Sequence, residues 1–145
     1  MWLGDSPSVW AFPMVLTLHT TGMAVLVGAS WVLDLRLLGI SRHIPLSAFR
    51  WVFPVVAVGL VVNLVTGVML FMKNATTWAT AMPFLVKMAL VIASVATLMP
   101  IRSLLHRSAA DQYEVGRTAK LLAVASIVAW AGAVTAGRLL AYLIV

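Results

Sequence analysis

The stretch Phe12 to Leu38, FPMVLTLHTTGMAVLVGASWVLDLRLL, decides the class of the protein. It is long enough to cross a bilayer as a helix, which takes about 20 apolar residues. One ionisable side chain, His19, lies well inside it. An ionisable group in hydrocarbon is costly and faces a partner helix or a cavity, so His19 marks a candidate site and the remaining polar residues are read relative to it.

Four apolar runs occur in all, Phe12 to Leu33, Trp51 to Met72, Phe84 to Leu105 and Leu121 to Val145, and each meets the length requirement. The composition agrees: 63% of the 145 residues are hydrophobic and 10% charged, with a mean hydropathy of +1.06. Continuous apolar runs without alternation point to helices, not to barrel strands. The expectation is an all-α fold, a four-helix transmembrane bundle forming one domain over residues 1–145. Its helices are expected at about 12–36, 50–72, 83–105 and 111–144. The chain opens with no early Lys or Arg, so the first helix reads as a retained span and not as a cleaved signal peptide.

Cysteine is absent, which excludes disulfides, thiolate metal sites and thiol nucleophiles. The net charge is +6, and its distribution carries more information than its size. Arg36, Arg42 and Arg50 fall between the first two helices, and Arg102, Arg107, Arg117 and Lys120 around the connection between the last two. The middle connection has only Lys73. By the positive-inside rule the first and third connections face the cytoplasm and both termini the outer, periplasmic side. The basic residues then read as topology signals in contact with membrane lipids, and no nucleic-acid partner is expected.

Within the helices a few residues break the apolar pattern. Gly22 lies one turn from His19 and leaves room for a neighbouring backbone or a flat ligand. Gly59, Asn63 and Gly67 follow at steps of four, a small-polar-small stripe in which Asn63 either ties two helices together or donates to a bound group. Lys87 stands one turn inside the third helix and Arg138 about two turns from the C-terminus, each either snorkelling outward or contacting an anion. Asp34 and Arg36, near the other surface, read as interfacial anchors reaching headgroup water. Pro100 is expected to kink or end its helix. Ser108 and Asp111 read as a capping-box start of the last helix. In that helix Ala125, Ala129, Ala133, Gly137 and Ala141 recur every four residues, the expected packing seam.

At 1.5 Å per residue, His19 lies ~10 Å deep from the outer end, Asn63 ~13 Å, and Lys87 and Arg138 ~6 Å. Four separated positions thus converge on one half of the bundle, with Thr20, Thr21, Thr66 and Thr135 at similar depths and no carboxylate among them. Such a cluster suits an anionic ligand and neither a cation channel nor a carboxylate-based proton relay. Haem b meets the demand: an apolar macrocycle between helices, His19 as its metal ligand, and propionates towards Lys87 and Arg138. Copper is the alternative, since Met14, Met69, Met72 and Met82 fall near the same surface and thioethers with an imidazole suit Cu(I). A third class is a non-catalytic anchor subunit of a larger complex. In each case a homo-oligomer or a partner membrane subunit is expected.

The segments LHTTGMAVLVG, DLRLLG, FLVKMAL and AGRLLAYL together resemble an uncharacterised family of small four-helix bacterial inner-membrane proteins, over nearly the whole chain. That family is distantly similar to the membrane domains of copper-resistance D-type proteins and to HemJ-type haem proteins. His19 and Lys87 match the first-helix histidine and third-helix lysine of the latter. The resemblance implies haem binding in a bacterial inner membrane. The tryptophan-rich first-helix pattern of the HemJ oxidases is absent and His106 is further from Lys87 than their corresponding pair, so oxidase activity is not implied.

Overall fold

The computed structural model describes residues 10–73, 75–107 and 115–143. Every regular element among them is helical. Four helices are long and apolar enough to cross a membrane. They are α1 (Ala11–Leu38), α2 (Val52–Lys73), α4 (Met82–Arg107) and α5 (Arg117–Leu143). A 3-10 turn, Leu46–Phe49, precedes α2, and a single helical turn, α3 (Ala75–Trp78), joins α2 to α4. The protein is an all-α four-helix bundle. We call the end carrying the start of α1 and the α2–α4 connection the upper end, and the opposite end the lower.

Helix α1 packs against α2 on one side and α5 on the other, and α5 packs against α4, while α2 and α4 hardly meet along their length. The open α2–α4 seam is closed only at its ends. Above, Phe71 and Phe84 stack with ring centroids 5.0 Å apart, and Lys73 Nζ lies 3.8 Å from the centre of the Phe12 ring, fastening α2 to α1. Below, Arg50 donates from Nη2 to His106 Nδ1 at 3.0 Å, and the Arg102 guanidinium sits over Phe53. The densest core is in the lower half, where Leu33, Leu37, Val52, Ile101, Leu105 and Ala123 are almost wholly buried.

Three local features differ from the sequence reading. Helix α4 runs through Pro100 to Arg107. Pro100 cannot donate to the Ala96 carbonyl one turn earlier, a loss that membrane helices tolerate without ending. The buried seam of α5 is Ala119, Ala123, Ser126, Ala129, Trp130, Ala133, Ala136 and Leu140, whereas Ala125 and Ala141 are exposed. Steps of four advance about 400° around a helix of 3.6 residues per turn, so a strict row of four drifts off the face, and mixed steps of three and four stay on it. The described part of α5 begins at Arg117; the Ser108–Asp111 capping box lies outside the described residues.

Asp34 and Arg36 are the largest departure. Both are buried, Asp34 completely. Aspartate is too short to snorkel, unlike Lys or Arg. Arg36 instead curls under the helix end, donating from Nε to the Ile44 carbonyl at 2.8 Å and from Nη2 to the Arg42 carbonyl at 3.0 Å. The turn it braces starts at Gly39, whose φ of +108° is the left-handed conformation that glycine adopts without strain.

Candidate functional site

His19 is half-buried in the upper half of α1, and α2 holds its ring. Its Nδ1 lies 2.9 Å from Thr66 Oγ1. The threonine hydroxyl has one hydrogen, and at 2.6 Å from the Val62 carbonyl it donates there, with a longer approach of 3.3 Å to the Asn63 carbonyl. Thr66 Oγ1 therefore accepts from His19, which assigns the imidazole hydrogen to Nδ1. Nε2 keeps its lone pair, and among the described residues it has no hydrogen-bond partner.

Glycines let the ring and the helices come this close. A Cβ on Gly67 would stand 3.2 Å from His19 Cε1, tighter than ordinary contact, so the imidazole lies against a place where α2 has no side chain. A Cβ on Gly22 would meet Val62 Cγ1 at 3.0 Å, and one on Gly59 would meet Leu26 Cβ at 3.1 Å and the Gly22 carbonyl at 3.3 Å. Asn63 Nδ2 donates to the His19 carbonyl at 2.9 Å. Gly22 and Asn63 are thus taken up in fastening α1 to α2, the close-approach pattern of small residues in membrane helices.

Two cavities flank His19. One, of about 500 Å³, lies along the α1–α5 face from His19 and Arg138 down to Trp31, with Ala24, Gly28 and Gly137 in its lining. A Cβ on Gly28 would meet nothing within 4 Å, so the floor there is open. The other, of about 210 Å³, occupies the open α2–α4 seam and is lined by His19, Asn63, Phe71, Phe84, Lys87 and Trp130 among others. Trp130 is fully buried, and among the described residues its indole Nε1–H has no acceptor. Lys87 extends along α5 beside Gly137, where an added Cβ would be 3.5 Å from its Nζ. Among the described residues neither Lys87 nor Arg138 has an anionic partner.

The structure therefore brings four of the expected residues around one point. His19 and Asn63 are hydrogen-bonded, His19 and Lys87 share the smaller cavity, and His19 and Arg138 share the larger. Of the threonines at that depth, Thr66 alone reaches the histidine; Thr20 and Thr135 donate back to carbonyls of their own helices, Leu16 and Ala131. Met14, Met69, Met72 and Met82 are exposed and line neither cavity, whereas Met23 lines both. No group of three or more His, Asp or Glu side chains with metal-binding spacing occurs among the described residues. Trp130 was not distinguished in the sequence, although its four-residue spacing from Ser126 puts the two on one face of α5. The chain matches no family model, no curated protein and no solved structure.

Proposed function

We propose that the protein is a haem b-binding protein of the bacterial inner membrane, with His19 Nε2 as the iron ligand and the macrocycle in the larger cavity. The observation that carries this reading is the bare Nε2 of an imidazole whose other nitrogen is already engaged by Thr66. A metal-bound histidine characteristically donates its second N–H to a fixed acceptor, which sets the tautomer and the ring orientation. The cavity of about 500 Å³ falls within the ~300–1,000 Å³ of cofactor pockets, and the smaller one of about 210 Å³ falls below it. Small residues at Ala24, Gly28 and Gly137 suit a flat ring, and Trp31 offers an aromatic edge at its far end.

Haem, when bound, supplies one-electron redox chemistry. The chain's own contribution is binding and orientation. Arg138 opens onto the larger cavity, and its planar fork suits a carboxylate. Lys87, laid beside Gly137, adds a second positive charge next to it. Met14, Met69, Met72 and Met82, the thioethers expected for copper, line neither cavity, while Met23 and Met88 line the smaller one with His19 and would be the thioethers of a Cu(I) site in the alternative reading. The basic turn that contains Arg42 and Arg50 would face the cytoplasm and α3 the periplasm.

An absorption spectrum of protein purified from haem-replete cells tests the reading. A Soret band is expected, and His19→Ala should abolish it. A colourless preparation would overturn the proposal. Thiol labelling of Ser47→Cys and Thr80→Cys in intact cells tests the orientation, with Thr80→Cys expected to be the accessible one.

A further inference from the structure

Asp34 has no part in the His19 site. It stands fifteen residues further along α1, ~22 Å down the helix axis, in the densely packed lower half. Its side chain is fully buried, and neither Oδ1 nor Oδ2 has a hydrogen-bond partner among the described residues. Ser126 of α5, also fully buried, is close enough to interact with it, yet its Oγ likewise makes no hydrogen bond. Ser30, one turn above Asp34, commits its hydroxyl hydrogen to the Leu26 carbonyl at 2.9 Å.

No neighbouring charge neutralises the carboxyl. On α1, Arg36 is spent on the Ile44 and Arg42 carbonyls. On α4, Arg102 lies over Phe53, and His106 accepts from Arg50 beside the 3-10 turn. At the start of α5, Arg117 and Lys120 are exposed, and the one basic residue of α2, Lys73, is at the opposite end against Phe12. His43 in the α1–α2 connection is exposed. An unpaired carboxylate in such surroundings costs more than one hydrogen bond to a charged group returns. A hard metal cation would need roughly six oxygen ligands, and the two carboxyl oxygens with Ser126 and Ser30 fall short of that.

We propose that Asp34 and Ser126 form a proton-binding site inside the membrane, in which Asp34 is a neutral carboxylic acid whose O–H donates to Ser126 Oγ. A serine donating to an ionised Asp34 would leave the buried charge in place, whereas proton uptake removes that charge and makes the carboxyl a donor to the serine oxygen beside it. An intramembrane acid of this kind is the usual element of a proton-handling site. Trp130, one turn from Ser126 on the same face of α5, lines the smaller cavity together with His19. The assignment is independent of what His19 binds.

Infrared spectroscopy of the full chain in lipid bilayers at neutral pH tests it. The chain has four carboxylic side chains in all, so one substitution assigns a band. A carboxylic-acid C=O band is expected that disappears in Asp34→Asn, moves to higher frequency in Ser126→Ala as the hydrogen bond is lost, and persists in His19→Ala. Exchange into D2O should lower its frequency slightly. A spectrum in which Asp34→Asn removes no acid band would overturn the proposal, as would a carboxylate signal at Asp34 that follows sodium concentration. Should Asp34→Asn not assemble, Ser126→Ala decides alone: a shifted band supports the site and an unmoved one overturns it.

Discussion

The two halves of the bundle handle polar groups in opposite ways. In the upper half they are many, they come from all four long helices, and the space around them is open: two cavities meet at His19, and two cations stand without anions among the described residues. In the lower half they are few and the packing is close, so that Asp34 and Ser126 are as fully buried as Leu33, Leu37 and Ala123. The difference follows from which helices touch. Where α2 and α4 fail to meet, the seam between them stays hollow, and it closes below only where the 3-10 turn and the start of α2 come against α4. A hollow half suits a ligand; a dense half suits nothing larger than a proton.

The largest expected effect attacks what holds both halves together. Gly59 approaches α1 backbone, with the Gly22 carbonyl 3.3 Å from where its Cβ would be, so neither partner can move aside as a flexible side chain would. Gly59→Leu should separate α1 from α2 and abolish assembly of the folded bundle in detergent. The next effect distinguishes the halves. Leu33 is fully buried in the dense core, and Leu33→Ala should cost about 2–5 kcal/mol, as cavity-forming core truncations do. Met88, 37% exposed on the rim of the smaller cavity, should cost less than ~1 kcal/mol on truncation to Ala. Equal losses in steric-trap or denaturant unfolding would erase the contrast.

Within the upper half, Thr66→Val keeps the shape but removes the acceptor that fixes the His19 tautomer. Loss of such a partner typically weakens metal affinity 10–100-fold, and haem retention measured by the Soret amplitude should fall accordingly. Thr66→Ser should restore it, because the hydroxyl is retained. Retention unchanged in Thr66→Val would mean that the ring is oriented by packing on Gly67 and not by the hydrogen bond.

The four spans and the convergence of His19, Asn63, Lys87 and Arg138 were legible in the sequence, because length, hydropathy and depth depend only on position along the chain. What was not legible depends on azimuth. The buried face of α5 follows steps of three and four, which a row of alanines at constant spacing disguises. Which residues the small positions meet is also a matter of azimuth: Gly22 faces Val62 and Gly59 faces Leu26 across the α1–α2 seam. Asp34 was misread because its distance from the helix end allows a headgroup contact on paper, while its direction, towards Ser126, forbids one.

The smallest expected effect comes from a pair of glycines in the upper half that look alike in sequence. A Cβ at Gly67 would press on His19 Cε1 at 3.2 Å, and the imidazole can yield only by lengthening its bond to Thr66. A Cβ at Gly137 would sit 3.5 Å from the Lys87 chain, an ordinary van der Waals distance beside a flexible neighbour. Gly67→Ala should therefore weaken haem retention several-fold, in the same direction as Thr66→Val but by less. Gly137→Ala should leave both retention and the position of the Soret band within error of the parent protein. Since alanine also gains about 1 kcal/mol over glycine inside a helix, Gly137→Ala should if anything raise thermal stability slightly. If the two substitutions weakened retention equally, the site would be sensing the width of the cavity between α1 and α5, and the contact of His19 with α2 would not be what holds the ring.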